Sequence, residues 1–322
     1  MEKSYKKYEK IYDNDQAAVL FAKQIQCQTK FLISRIGGNE LDLYLQSKLM
    51  TPKQLINHPI VIAMKKYTGY YDKNNEIDNL IKYCDLFKKC YDCSNIIMIN
   101  TAKLSSFLQF FKVGHPYYVK NNKFEEQSQS NIDDLLENKI IFNYHAVVES
   151  FIYFDQWFPL LDNKKILIIS TFDDEIKQQL SIKDQLFAKQ HLRKYPNFAK
   201  VSYVHTHLTL SDLEKPHNNW FETYQSYCKQ IACADFDIAL LFCGCYSYPI
   251  AQYIYSEINK SAIIVGGVAQ LFFGITGNRY ETPFFKQFMN NKWIHRKLNF
   301  SPDGTNNEGL KAYFIFNKTI NK

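Results

Sequence analysis

No apolar run in this 322-residue chain approaches the roughly 20 residues that a membrane-crossing helix needs, which argues against a transmembrane protein. The opening Met1-Glu2-Lys3-Ser4-Tyr5-Lys6-Lys7 is charged and leads into no apolar stretch, so a secretory signal or lipid anchor is not expected and a cytoplasmic location is. The eight cysteines, without a signal, read as reduced thiols rather than a disulfide framework. Cys90-Tyr-Asp-Cys93, with Cys84 nearby, has neither a second CxxC nor a spaced histidine pair to complete a zinc site. Also missing are GxGxxG and GxxxxGK[ST], which disfavours ordinary dinucleotide and P-loop chemistry. There is no internal repeat and no long Gly/Ser or Pro-rich linker, and the length permits one broad domain or two smaller ones. The polar bridge, 120–138, reads as a mobile connection.

What is present is an ordinary globular composition, 46% hydrophobic and 22% charged. A net charge of +7 and a pI near 8.8 favour anionic partners: nucleotide phosphates, nucleic acid or the surface of an anionic membrane. The lysines are dispersed among acids instead of gathered on one stripe, so nucleic acid is not expected, while peripheral membrane contact stays open. The 16% aromatic content suits stacking on sugars or bases, and equally reflects the base composition of the gene.

Several segments share the pattern of a β-branched or aliphatic run, a loop of small or polar residues, and a helical period. Phe31-Leu-Ile-Ser-Arg35 leads through Ile36-Gly37-Gly38-Asn39 to a helix expected over 40–48. Lys165 to Ser170 leads through Thr171-Phe172-Asp173-Asp174 to a helix through Ile176 and Leu180. Asp237 to Phe242 leads through Cys243-Gly244-Cys245-Tyr246-Ser247-Tyr248 to a helix in which Pro249 is expected at the first position. Ser261 to Val265 ends at Gly266-Gly267 and leads into Val268-Ala-Gln270. Repetition of this unit implies an α/β, Rossmann-like fold: a mostly parallel sheet with helices on both faces. Ligands bind such sheets at the carboxyl ends of the strands, where helix N-termini offer free amides to phosphate.

Arg35 can clamp a pyrophosphate, Gly37-Gly38 allows close backbone approach, and Glu40 can hold a divalent ion or act as a general base. The plain alternative is a tight turn, a surface arginine and a glutamate complementing a helix dipole. Cys243-Gly-Cys245 lacks the two-residue spacer of redox motifs and reads as buried thiols. His205 and His207 lie in an alternating stretch, Val201 to Leu210, and both fit one face of a strand. With no partner carboxylate in view, they read as structural. Trp157, Trp220 and Trp293 read as core residues.

Two longer strings carry a family likeness. Asp235-Phe-Asp237-Ile-Ala-Leu-Leu-Phe-Cys-Gly244-Cys-Tyr246-Ser247-Tyr-Pro249-Ile-Ala251 is the first, and Ile264-Val-Gly266-Gly267-Val-Ala-Gln270-Leu-Phe-Phe-Gly274-Ile-Thr-Gly277-Asn-Arg279-Tyr280 the second. Together they resemble the C-terminal signature of GT-D-type glycosyltransferase-like proteins, whose members include bacterial and viral chains. Arg35-Ile-Gly37-Gly38-Asn-Glu40 is similar to that family's N-terminal loop, Tyr67 to Asp72 to a further segment, and Trp220-Phe-Glu222 to its "WFE" element. Lys165 to Ser170 with Phe172, Ile176 and Gln179, Asn290 to Trp293, and Glu308-Gly309 to Tyr313 extend the likeness from about residue 30 to 314, which implies a single domain over 1–322.

The resemblance implies transfer of a sugar from a nucleotide-diphosphate donor, typically a UDP-sugar, to a glycan or glycoprotein, as in polysaccharide biosynthesis. It places Arg35 and Glu40 in catalysis, and Gly37, Gly38, Ser170, Thr171, Gly244, Tyr246, Ser247, Gly266, Gly267, Gln270 and Arg279 around the donor. The family's DxE motif binds Mn²⁺; Glu40 matches its glutamate, whereas Gly38 stands at its aspartate. Either Mn²⁺ or Mg²⁺ rests on Glu40 with waters and donor phosphate, Asp42 being poorly placed two residues along a helix, or Arg35 and helix N-termini stabilise the leaving diphosphate without a metal. The competing expectation is a nucleotide- or glycan-binding protein of the same fold that has lost catalysis.

Overall fold

Four- to six-residue runs of Ile, Leu, Val and Phe are too short for helices and too apolar for surface strands, and they form the centre of a parallel sheet. The computed structural model describes residues 11–99, 139–143, 154–187, 193–210, 213–277 and 283–296, apart from 13 and 28, together with 130, 134 and 280. The strands are β1 (Ile11–Tyr12), β2 (Leu32–Arg35), β3 (Ile96–Ile99), β4 (Ile140–Asn143), β5 (Lys165–Ser170), β6 (Lys200–His205), β7 (Ile238–Phe242) and β8 (Ser261–Ile264). Their spatial order is β1-β4-β3-β2-β8-β7-β5-β6, and every pairing is parallel. Six strands, β3 to β6 in that order, make the body of the sheet, and β4 and β1 extend one side.

The helices are α1 (Asn14–Gln26), α2 (Gly38–Leu49), α3 (Pro52–Leu55), α4 (Pro59–Tyr67), α5 (Ile77–Cys93), α6 (Phe154–Trp157), α7 (Asp173–Leu180), α8 (Trp220–Ala232) and α9 (Ser247–Ser256). In α5 the buried Leu80, Tyr83, Cys84, Phe87, Cys90 and Tyr91 fall at spacings of three and four, one helical stripe. That stripe packs on α9 and on alternate residues of the strands, Leu32, Ile97, Leu167, Ile169, Ala239, Leu241 and Ile264. Tyr83 meets the Trp220 ring edge-on, 5.2 Å between centroids, and the Trp220 indole donates to the Asn79 carbonyl. Among the described residues no helix is long and apolar enough to cross a membrane.

The chain gathers into two compact units: residues 1–173 with 194–269, and residues 174–193 with 270–322. The first holds the whole eight-stranded sheet. In the second, β9 (Ile275–Thr276) and β10 (Ile294–His295) pair in parallel, beside the short helices α10 (Ala269–Phe272) and α11 (Pro283–Lys286). Gln179 ties this unit together, donating to the carbonyls of Gly274 (2.7 Å) and Lys292 (3.1 Å). The 120–138 connection, but for 130 and 134, lies outside the described residues.

Three expectations shift. Helix α2 begins at Gly38, two residues before the reading that started it at Glu40. Helix α9 begins at Ser247, so Pro249 is its third residue, within the first turn, whose amides have no intrahelical partner. Strand β6 stops at His205, leaving His207 beyond it.

Candidate functional site

One level of the sheet's carboxyl edge collects most of the chemistry. Ile33 pairs with Ile263, Ile263 with Leu240, Leu240 with Ile168, and Ile168 with Tyr203. Two residues further along each strand stand Arg35, Val265, Phe242, Ser170 and His205. A step of two keeps the side chain on the same face, so all five share one row and one face. With four strand spacings of about 4.8 Å between them, the backbones of Arg35 and His205 are about 19 Å apart, at opposite ends of that row.

At the β2 end the chain from Arg35 to Glu40 is locked from several sides. Glu40, in the first turn of α2, folds its carboxyl back over Gly37, where an added Cβ would lie 2.1 Å from Glu40 Oε2. A larger residue there would have to displace the Glu40 carboxyl. The Tyr248 hydroxyl accepts from the Gly37 amide at 2.6 Å and donates to the Arg35 carbonyl at 3.1 Å. Arg35 lies against Gly266, whose φ of +74° suits glycine and whose missing Cβ would stand 3.1 to 3.3 Å from Arg35 Cδ, Nη1 and Nε. Burial raises the Glu40 carboxyl above the usual carboxylate range, with the Arg35 charge opposing the shift. Glu40 in turn helps to hold the hydroxyls of Tyr83 and Tyr248 and the Cys245 thiol in their neutral forms, after the larger effect of burial.

At Gly244 (φ +62°) glycine is required: a Cβ would meet the Thr68 carbonyl oxygen at 2.4 Å. The Cys245 amide donates to that same oxygen at 2.9 Å, and the Tyr83 hydroxyl donates to the Cys245 carbonyl at 3.2 Å. The loop after β7 is thereby pinned to the end of α4.

The residues expected around a donor fall into three groups. Gly38, Thr171, Gly244, Gly266 and Gly267 reach the surface at this edge, as Arg35 does in part. Ser170, Tyr246 and Ser247 are buried; the Ser170 hydroxyl accepts from the Phe172 amide (2.9 Å) and Ser247 Oγ from the Cys243 amide (3.3 Å), so both hydroxyls shape their own loops. Gln270 belongs to the second unit, and Arg279 lies outside the described residues. Around Glu40 the donor set does not fit Mn²⁺ or Mg²⁺. Its carboxyl is folded onto its own loop, and among the described residues no group of three or more His, Cys, Asp or Glu is placed to hold a metal ion.

The β6 end holds a group that sequence reasoning passed over. His205 Nδ1 is 2.5 Å from Oδ1 of Asp173, the first residue of α7; the histidine side chain is 55% exposed and the aspartate 7%. A carboxylate only accepts, so Nδ1 carries a proton, and in the neutral ring Nε2, on the exposed side chain, is the acceptor. His207 packs edge-on against His205, 5.6 Å between centroids, with its own Nδ1 3.0 Å from the Tyr227 hydroxyl. Burial chiefly, then the neighbouring His205 and His217, lower the His207 pKa. Asp173 was visible in the 171–174 loop; what was not visible is that β5 and β6 are neighbours, with Ser170 opposite His205.

Comparison with protein-family models, with curated proteins and with solved structures finds no match to this chain.

Proposed function

We propose that this chain is a glycosyltransferase of the GT-D type, moving a sugar from a nucleotide-diphosphate donor, a UDP-sugar by preference, to a hydroxyl of a glycan or glycoprotein. The observation that carries the reading is Arg35 set against Gly266 at the carboxyl edge of an all-parallel sheet, beside the N-terminus of the twelve-residue helix α2. A guanidinium and free amides together stabilise the negative charge that develops on a departing diphosphate. Glu40 acts in this scheme as a positioning residue, fixing the loop that presents them. The test is UDP release from a panel of UDP-sugars with an oligosaccharide acceptor. Turnover by the wild-type chain that Arg35→Ala lowers about 100-fold or more is expected, by the scale of a lost transition-state contact; full activity in Arg35→Ala would sink the assignment.

The burial of Glu40 favours a second reading, a nucleotide- or glycan-binding protein without turnover, because no carboxylate of this loop is offered to a metal. Calorimetry that finds UDP bound and no UDP-sugar consumed selects it.

A further inference from the structure

The transferase reading leaves a gap: the attacking hydroxyl must lose a proton, and among the described residues the Arg35 end offers no exposed group to take it. Glu40 is buried, turned back over Gly37 and shielded by Tyr248 and Tyr83, so it cannot reach a substrate oxygen. The opposite end of the same row supplies one. His205 is exposed, and among the described residues its side chain's one hydrogen bond runs through Nδ1 to Asp173.

Resting on that reading, we propose that His205, oriented by Asp173, is the general base that deprotonates the acceptor hydroxyl, so that the acceptor sugar lies over the β5–β6 end of the edge. In the step, the acceptor O–H proton passes to His205 Nε2 as the oxygen bonds to the anomeric carbon of the donor sugar. The bond from that carbon to the diphosphate oxygen breaks, and its electron pair leaves with the diphosphate. Asp173 keeps its charge throughout, holds the ring in the tautomer that exposes Nε2 as an acceptor, and offsets the positive charge the imidazole gains.

The surroundings suit the task. Besides Asp173 from α7, the titratable groups around the ring among the described residues are His207 on the same segment and, behind His207, His217 and Glu214 from the stretch leading into α8, with Tyr227 from α8 itself. His207 is held by Tyr227 through both its amide (2.8 Å) and Nδ1, and His217 bonds Thr223 Oγ1 at 2.9 Å. Both neighbouring rings are therefore fixed by local partners, while the His205 side chain keeps more than half of its surface exposed. The about 19 Å between the two ends assigns them separate duties, anchoring the diphosphate at Arg35 and accepting the proton at His205, with the donor laid along the row.

Steady-state UDP release is measured against pH for the full wild-type chain and for His205→Gln, Asp173→Asn and Asp173→Glu, with UDP affinity followed by calorimetry. His205→Gln is expected to lower kcat about 100-fold or more, the usual contribution of a general base, to leave UDP affinity unchanged, and to remove the acid limb of the profile. Asp173→Asn is expected to lower kcat and displace the acid limb, and Asp173→Glu to restore part of both, which a purely structural aspartate would not do. A His205→Gln chain that keeps the wild-type kcat and acid limb overturns the assignment of the base while leaving the transferase standing. A wild-type chain that consumes no UDP-sugar overturns the transferase reading, and the base with it.

Discussion

Tyr248 and Gly37 are joined by a 2.6 Å hydrogen bond, from the amide of the loop after β2 to a hydroxyl on α9. Because the same hydroxyl donates to the Arg35 carbonyl, one phenol sets the backbone on both sides of Ile36. Tyr248→Phe removes both bonds and leaves a buried amide without its acceptor. A loss of about 1–3 kcal/mol in urea unfolding is expected, with weaker UDP binding. Unchanged stability and affinity would show that the loop keeps its shape unaided.

Gly37 and Glu40 occupy one space. Gly37→Ala sets a Cβ where the Glu40 carboxyl stands, so it is expected to destabilise the loop, and Glu40→Ala in the same chain to relieve the damage. A double-mutant cycle in denaturant measures this directly; additive effects of the two changes would refute the steric account.

The pH dependence of stability follows from the raised Glu40 pKa. The folded state holds this proton more tightly than the unfolded chain does, so its contribution is complete below the ordinary glutamate value of 4.5 and fades as pH rises through the higher folded value. Glu40→Gln has no such loss. The stability of the variant relative to wild type is expected to grow as pH rises above 4.5, read from paired urea midpoints. A constant difference across that range would mean the carboxyl titrates alike folded and unfolded.

Gly244→Ala meets two obstacles, a φ of +62° and the Thr68 carbonyl oxygen at 2.4 Å, which is backbone and cannot swing aside. The expected penalty is about 1–3 kcal/mol or more, visible in thermal unfolding. A wild-type melting temperature would remove Gly244 from the list of required glycines.

Thiol chemistry divides the cysteines. Burial pushes the thiols of Cys84, Cys90 and Cys243 up to about 12, whereas Cys27 and Cys233 are exposed. Alkylation of the native protein at neutral pH, followed by peptide mass mapping, is expected to mark Cys27 and Cys233 well before those three.

The fold was legible where one strand and its following helix are contiguous, because apolar runs such as Lys165 to Ser170 and Ser261 to Val265 are bounded by small or polar turns. Strands β3 and β4 escaped notice: Ile96–Ile99 directly follows the long α5, and Ile140–Asn143 follows the polar bridge, so neither opens a strand-loop-helix unit. At the site, glycines could be read as turns, but not that Gly37 makes room for Glu40 and Gly244 for Thr68, since both need the folded neighbours. Ser170, Tyr246 and Ser247 looked like ligand contacts because they sit at strand ends, yet their burial turns them inward. His205 looked structural because its carboxylate is 32 positions away in sequence, and only the β5–β6 pairing closes that distance.

The placement of β8 between β2 and β7 bears on how the protein is made. The Phe31 amide at the start of β2 bonds to Ser261 Oγ, 230 positions later. During synthesis β2 therefore waits with one side unpaired until nearly all of the sheet's chain has left the ribosome. Gly266, which Arg35 rests against, arrives later still. The proposed donor end of the edge is thus assembled only after β8 is synthesised, and a nascent chain truncated before Ser261 is expected to expose an apolar strand to aggregation.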